Sequence, residues 1–331
     1  MLIDGPNRVS NVAGILKLLD ACQNRCLFCA ETSSADSRFS PADARALLER
    51  MRSDGADSLV LSGGEPTGYR GLEDLIAHAK AIGYERVAVF SNGRRMRDGK
   101  YTDALAKAGL DAALVSVHGP DARTHESVVG VGNAFEESLQ GVDHLLSHGI
   151  DVLINTVVST VNYQRLEDHV DFISNRFSSR VRLQLSDLFT TTRVLRNPEL
   201  HVPYRELKPW LEKALIRATC LGLPCCTSLF PLCVLDPFFM DALELREEER
   251  ETLVAGEGGG VTRRKPKFDL HRYYLDVCRN CSLRRACPGI PRSYRLSETD
   301  REIFRPFAHL DPEGCLAANR KRDCRPKPFG E

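Results

Sequence analysis

Between residues 14 and 220, short apolar runs rich in β-formers alternate with longer stretches in which apolar residues return every three or four positions. The runs Gly14–Ala21, Ser58–Ser62, Arg86–Ser91, Ala112–Val117, Asp151–Val158 and Arg180–Leu185 predict buried parallel strands, often closing on a polar or glycine-containing turn. The stretches Ser40–Ser53, Gly71–Ile82, Thr102–Ala108, Asn133–Ser147 and Tyr163–Asn175 predict helices. The first has a well-marked start, with Ser40 as N-cap, Pro41 at the first helical position and Asp43 in the first turn. Six strand–helix repeats predict a right-handed βα array, either an open doubly wound sheet or a partial barrel. In both, chemistry collects at the C-terminal ends of the strands.

The character changes after a helix predicted at Tyr204–Leu221. Residues 224–240 are rich in Pro and Cys, an acidic helical stretch is expected at Asp241–Glu251, and Gly256–Gly260 reads as a link. Two domains are therefore expected: residues 1–222, and a smaller, irregular domain at 223–331 held by metal ligation rather than by a large core. With 42% hydrophobic and 27% charged residues, disorder, collagen and coiled coil are disfavoured. No apolar run reaches the ~18 residues of a spanning helix. Residues 1–10 lack the pattern of a signal peptide, so a cytoplasmic protein without membrane contact is expected. Zero formal net charge argues against a dedicated nucleic-acid binder.

Cysteine changes the picture. Twelve cysteines without an export signal read as metal or catalytic sites rather than a disulfide framework. Cys22-Gln-Asn-Arg-Cys26-Leu-Phe28-Cys29 follows the first strand directly. Three thiolates in one tight loop can hold three irons of a [4Fe–4S] cube, leaving the fourth iron open to another ligand. A structural zinc site with an outside ligand is the alternative. Ser62-Gly63-Gly64-Glu65-Pro66 closes the second strand, where paired glycines let a ligand approach the backbone and a carboxylate can accept from an ammonium group.

The triad with Phe28 before its last cysteine, followed by Gly-Gly-Glu-Pro after the second strand, resembles the radical S-adenosylmethionine (radical SAM) superfamily over roughly residues 14–190. The resemblance implies a partial (β/α)6 TIM-like barrel and an iron chelated by the amino and carboxylate groups of SAM. It further implies one-electron cleavage of SAM to methionine and a 5′-deoxyadenosyl radical that abstracts hydrogen from a substrate. On this resemblance Cys22, Cys26 and Cys29 are the cluster ligands. Phe28, Ser62, Gly63, Gly64 and Glu65 are placed on the cofactor side, with Gly63–Glu65 receiving the SAM ammonium. Ser91 and Asn92 after strand three and Ser116 near the end of strand four match positions that contact the SAM carboxylate or ribose. Leu153-Ile-Asn155-Thr-Val-Val replaces the family's glycine-rich stretch after strand five, which leaves the adenine contacts unassigned.

A second group, Cys278-x2-Cys281-x5-Cys287-Pro-Gly with Cys233 upstream, supplies four thiolates for a zinc site or a second cube. In this company it is similar to the auxiliary-cluster domains of the SPASM or shorter Twitch type. Cys225, Cys226 and Cys315 compete with Cys233 for the fourth place. Residues 261–295 carry ten Lys and Arg against two acids, which would offset an anionic cluster, steer an acidic partner, or simply form a solvated basic face. Cys225 and Cys226 are candidates for a catalytic hydrogen-atom donor, while Cys220, Cys315 and Cys324 have no assigned role. His118, His125 and Asp187 lie near strand ends, where ordinary capping or core hydrogen bonding is the favoured reading.

The expected protein is therefore an oxidoreductase-type radical SAM enzyme with two [4Fe–4S] clusters. It would use SAM and an electron donor such as flavodoxin or ferredoxin. The expected substrate is a ribosomal peptide or an aminoglycoside or other sugar, and the outcome epimerisation, dehydrogenation or bond formation. About 13 residues precede the first strand, which counts against a fused leader-peptide-binding domain. The rival readings are a metal- or redox-sensing iron–sulfur binding protein and an RNA-modifying enzyme of the same superfamily.

Overall fold

The computed structural model describes residues 12–30, 39–242, 251–255, 260–264 and 271–307. Six strands stand where the hydrophobic runs place them: β1 (Val12–Leu19), β2 (Ser58–Gly63), β3 (Arg86–Ser91), β4 (Ala112–Ser116), β5 (Asp151–Val157) and β6 (Val181–Ser186). They pair in sequence order and in parallel. Three further strands, β7 (Cys225–Ser228), β8 (Glu251–Ala255) and β9 (Val261–Arg264), lengthen the sheet to the order β7-β6-β5-β4-β3-β2-β1-β8-β9, with only β9 antiparallel to its neighbour. The fold is thus the partial (β/α) barrel expected, enlarged by one parallel strand at each edge of the six.

The helices are α1 (Pro41–Ser53), α2 (Leu72–Ala81), α3 (Gly99–Lys107), α4 (Ala122–Val129), α5 (Ala134–Ser147), α6 (Leu166–Phe177), α7 (Thr192–Arg196) and α8 (Tyr204–Leu221). Ser40 caps α1 by accepting from the Asp43 amide at 3.2 Å. Alternation sorts the strand residues between two faces. Leu16, Leu61, Val89, Val115, Ile154 and Leu183 join the core under the helices, whereas Val60, Ala88, Ala112 and Leu153 form a separate apolar floor on the inner face.

Several expectations shift. β1 ends two residues earlier than predicted, because its register against β2 slips between Lys17 and Leu19 and the chain leaves the sheet. α3 starts three residues earlier, since Asp98 accepts from the amides of Lys100 and Tyr101. α4 is an additional helix, opened by Asp121, which accepts from the Thr124 amide, and closed by left-handed Gly130. The boundary expected at residue 222 does not end the sheet. β7–β9 run parallel or antiparallel within it up to Arg264, so three short pieces of the segment after residue 222 extend the barrel wall. The C-terminal part that stands apart is a two-stranded ribbon, β10 (Arg272–Tyr273) with β11 (Ile290–Pro291), and the short turns around it. The acidic stretch 241–251 lies outside the described residues except at its ends, where Ala242 closes a turn and Glu251 opens β8. Cys315 and Cys324 also lie outside them.

Candidate active site

The loop after β1 carries Cys22, Cys26 and Cys29 and is fastened at both flanks. The amides of Arg25 and Leu27 donate to the carbonyls of Val129 and Val128 at 2.8 and 3.0 Å, so the end of α4 holds one side. Thr191 Oγ1 donates to the Phe28 carbonyl at 3.2 Å and Arg193 to the Cys26 carbonyl at 3.4 Å, so the start of α7 holds the other. The Phe28 ring stands edge-on to His118 at 5.3 Å and packs beside Leu188, Val194 and Leu200, which makes it a foot for the loop.

The three thiols are partly buried. Burial, then the neighbouring Cys29 and Cys22, pushes the Cys26 thiol up to about 12. Burial raises Cys22 as well, with Glu65 and Cys29 adding to the effect, although the Asn24 amide and the Asn92 side chain hydrogen-bond its sulfur and oppose it. Cys29 acts on both Cys22 and Cys26, so the three thiols stand close together, and a cationic centre would displace thiol protons there. Among the described residues no three His, Cys, Asp or Glu groups converge as ligands of a single metal ion would. A cube takes its thiolates one to an iron, and three thiols of one loop are a donor set that can supply three of them.

The Gly63–Glu65 segment abuts this loop backbone to backbone. A Cβ on Gly64 would lie 2.3 Å from the carbonyl oxygens of both Ala21 and Asp20, and Gly63 has φ +126°. The Gly64 and Glu65 amides donate to Leu19 and Ala21 at 2.6 and 2.8 Å. Paired glycines are thus what lets the end of β2 touch the approach to Cys22. The Glu65 carboxylate turns inward and is 2% exposed. Its Oε1 accepts from the Thr67 amide, Thr67 Oγ1 and Ser91 Oγ, and its Oε2 accepts from the Asn92 amide at 2.7 Å. Burial raises its pKa against these four donors. The carboxylate therefore ties the ends of β2 and β3 together. Asn92 in turn reaches Cys22 Sγ and accepts from Gln23, joining β3 to the cysteine loop. Ser62 and Ser116 are half-buried at the ends of β2 and β4.

Register separates the two adjacent cysteines. Cys225 pairs with Leu183 and packs against the core under the helices, whereas Cys226 pairs with Gln184 and shares its inner face. That face carries a polar knot that sequence reading passed over. Gln184 Nε2 and Ser186 Oγ both donate to Asn155 Oδ1, at 3.1 and 2.6 Å. Its signal was present in the alternation Val-Arg-Leu-Gln-Leu-Ser over 181–186. His118 and His125 are core residues: His118 Nδ1 accepts from the Val157 amide and His125 Nδ1 from the His118 amide, and burial holds both well below the ordinary histidine value.

A second set of thiols gathers in the C-terminal part. Cys233, Cys278, Cys281 and Cys287 line one pocket with Tyr274 and Arg284. Burial, then Cys287, Cys278 and Cys281, raises Cys233 far above its usual value. The amides of Leu232 and Gly289 point at Cys287 Sγ from 3.5 and 3.4 Å. Four thiols with amide donors suit a second cube. Cys225 and Cys226 stand apart from this pocket on β7. Of the basic residues at 261–295, Arg263, Arg279, Arg284, Arg285, Arg292 and Arg295 are exposed, as a solvated basic face requires, whereas Arg272 is buried at 2% exposure.

Comparison with known proteins agrees with this geometry. Residues 16–173 match the sequence model of the Radical SAM superfamily. An AdoMet-dependent heme synthase of Nitratidesulfovibrio vulgaris is 28% identical over 172 residues, 50% of this chain and 46% of that protein. A probable GTP 3′,8-cyclase of Saccharolobus solfataricus is 28% identical over 206 residues, 61% of this chain and 65% of that one. The chain thus spans about half to two thirds of the curated relatives it matches. In fold it is similar to SuiB of Streptococcus suis bound to S-adenosylmethionine, with a TM-score of 0.59, 16% identity and coverage of 87% of this chain and 77% of SuiB. It is also similar to anSMEcpe with bound AdoMet, with a TM-score of 0.56, 15% identity and coverage of 94% and 96%.

Proposed function

From a chain whose residues 16–173 belong to the radical SAM superfamily, we propose an enzyme that cleaves SAM reductively and abstracts hydrogen from a natural-product substrate, a ribosomal peptide or an aminoglycoside or other sugar. Members of the superfamily bind a [4Fe–4S] cluster and SAM, and in the bound state the reduced cluster supplies the electron that splits SAM into methionine and a 5′-deoxyadenosyl radical. The observation that carries the reading is the direct junction of the cysteine loop with Gly63–Glu65, through backbone contacts only glycine permits.

Cys22, Cys26 and Cys29 would hold the cluster, with Asn24 and Asn92 donating to Cys22. The backbone of Gly63–Glu65 would receive the SAM ammonium, and Ser62, Ser91, Asn92 and Ser116 would line the cofactor side, with Glu65 and Phe28 as supports. Cys233, Cys278, Cys281 and Cys287 would hold the auxiliary cluster. The inner face offers a substrate neutral hydrogen-bonding groups at Asn155, Gln184 and Ser186, which suit amides and hydroxyls. Cys225 and Cys226 are the candidate hydrogen donors for an epimerisation, and the pairing of Cys226 with Gln184 on that face favours Cys226. The barrel (residues 1–222, continued by β7–β9) and the C-terminal cluster segment would act together, with flavodoxin or ferredoxin as electron donor.

Anaerobic incubation of the iron-reconstituted protein with SAM and dithionite should yield 5′-deoxyadenosine by chromatography, and Cys26→Ala should abolish it. Unchanged yield in Cys26→Ala would overturn the assignment.

A further inference from the structure

Arg272, the first residue of β10, is 2% exposed and is the largest fully buried side chain of the described residues. Its Nη1 donates to the carbonyls of Leu229, just after β7, and Gly289, two residues past Cys287, at 2.5 and 2.8 Å. Its Nε and Nη2 are buried and have no hydrogen-bond partner among the described residues. These two nitrogens form the side-on edge of the guanidinium, the edge whose parallel N–H vectors match a carboxylate or phosphoryl group bidentately. Leaving a permanent cation with that edge bare is costly, and buried donors in folded proteins are nearly always satisfied.

The obvious internal partner is engaged elsewhere. Asp187, at the mouth end of β6, is close enough for Arg272 to act on its carboxyl. However, its Oδ1 accepts from the Leu188 amide at 2.8 Å and its Oδ2 from Tyr204 OH at 2.7 Å. Further polar groups stand by: His201 Nε2 contacts Ser293 Oγ at 2.8 Å, and Ser293 Oγ contacts Thr190 Oγ1 at 3.1 Å. Arg272 also helps to hold His201 neutral.

We propose that the Nε–Nη2 edge of Arg272 is a binding site for a small oxyanion, a carboxylate or phosphoryl group, at the seam between the mouth of the barrel and the C-terminal cysteine segment. The site is separate from both thiol sets and does not depend on the reaction assigned above. Asp187 opposes such a ligand by like charge, so its neutral isostere should strengthen binding.

Thermal unfolding of the reconstituted full chain, titrated with sodium formate or sodium phosphate at constant ionic strength made up with chloride, tests this. Formate or phosphate should raise the midpoint saturably. Arg272→Lys, which keeps the charge but loses the fork, should raise the half-saturating concentration about tenfold. Asp187→Asn should lower it. Saturation with formate alone identifies a carboxylate site, and saturation with phosphate alone a phosphoryl site. A midpoint that follows ionic strength only, with no saturable response to either anion, overturns the proposal. So does an Asp187→Asn response equal to or weaker than wild type, and that arm decides even if Arg272→Lys does not fold.

Discussion

Gly64→Ala tests whether the cysteine loop and the end of β2 are one unit. The added Cβ would lie 2.3 Å from two carbonyl oxygens and 2.6 Å from the Asp20 carbonyl carbon, all backbone atoms that no rotamer change can move. Restoring van der Waals contact needs a retreat of roughly 1 Å. Such a retreat breaks the 2.6 Å bond from Gly64 to Leu19 and the 2.8 Å bond from Glu65 to Ala21. Overpacking costs about 1–3 kcal/mol and each lost hydrogen bond about 0.5–1.5 kcal/mol, which together give about 2–6 kcal/mol. The midpoint of unfolding should therefore fall by at least about 3 °C. The same retreat displaces the start of the cysteine loop, so iron incorporation on anaerobic reconstitution should drop along with 5′-deoxyadenosine yield. Gly132→Ala is the control, since its Cβ would meet nothing within 4 Å and its φ needs no glycine. Full iron loading and a midpoint equal to that of Gly132→Ala would refute the reasoning.

Replacing Cys233 by Ala should cut iron content by up to about half while sparing Cys26-dependent 5′-deoxyadenosine formation, whereas Cys225→Ala should leave iron content unchanged; a colorimetric iron assay distinguishes them. If the substrate is epimerised, Cys226→Ala should stop turnover and solvent deuterium incorporation while SAM cleavage continues, and Cys225→Ala should retain both, as read by mass spectrometry. Burial raises the Asp187 carboxyl from 3.8 to about 6, so the folded state holds its proton more tightly than the unfolded chain does. Stability conferred by that proton is present below about pH 4 and is lost as pH rises to about 6, a change of about 3 kcal/mol. His201, lowered to about 4 by burial, contributes the opposite slope over part of that window. The difference between wild type and Asp187→Asn in urea denaturation at pH 4 and pH 6.5 isolates the aspartate, and no pH dependence in that difference would count against the burial of its carboxyl.

The six strands and the longer helices of the first 220 residues were legible because each is buried on a repeating face, so periodicity and caps report them directly, whereas the short α4 and α7 gave no such signal. Where local signals were weak, tertiary pairing decided. β7 has only four residues, two of them Cys225 and Cys226, and earns its place by pairing with β6. β8 follows an acidic stretch that reads as helix, yet it lies against β1 from Val12 to Leu16. The candidate site was legible to the extent that its donors are consecutive in sequence: Cys22, Cys26 and Cys29 in one loop, Gly63–Glu65 in one turn. The inward turn of Glu65 was not, because its four donors come from Thr67, Ser91 and Asn92, and only folding shows that the carboxylate is used up. Cys233 was named from sequence as the upstream partner of Cys278, Cys281 and Cys287, but spacing left Cys225, Cys226 and Cys315 as competitors; the fold brings Cys233 into one pocket with the other three.

The segment that runs from β6 into α7 explains how a C-terminal part with little core of its own is held in register with the barrel. Over a few residues Thr191 and Arg193 bind the carbonyls of Phe28 and Cys26, while Thr190 donates to the His271 carbonyl and contacts Ser293. The next residue after His271 is Arg272, which grips Gly289 beside Cys287. A continuous chain of hydrogen bonds and short backbone steps therefore runs from the first cysteine loop to the second thiol pocket, across the mouth of the barrel. Each bond is worth only about 1 kcal/mol by itself, but all of them join the same two bodies, so the segment fixes their relative placement more firmly than any one contact would. A shift of this strap by a bound substrate would be felt at both thiol sets together, which gives two sites distant in sequence a common mechanical support.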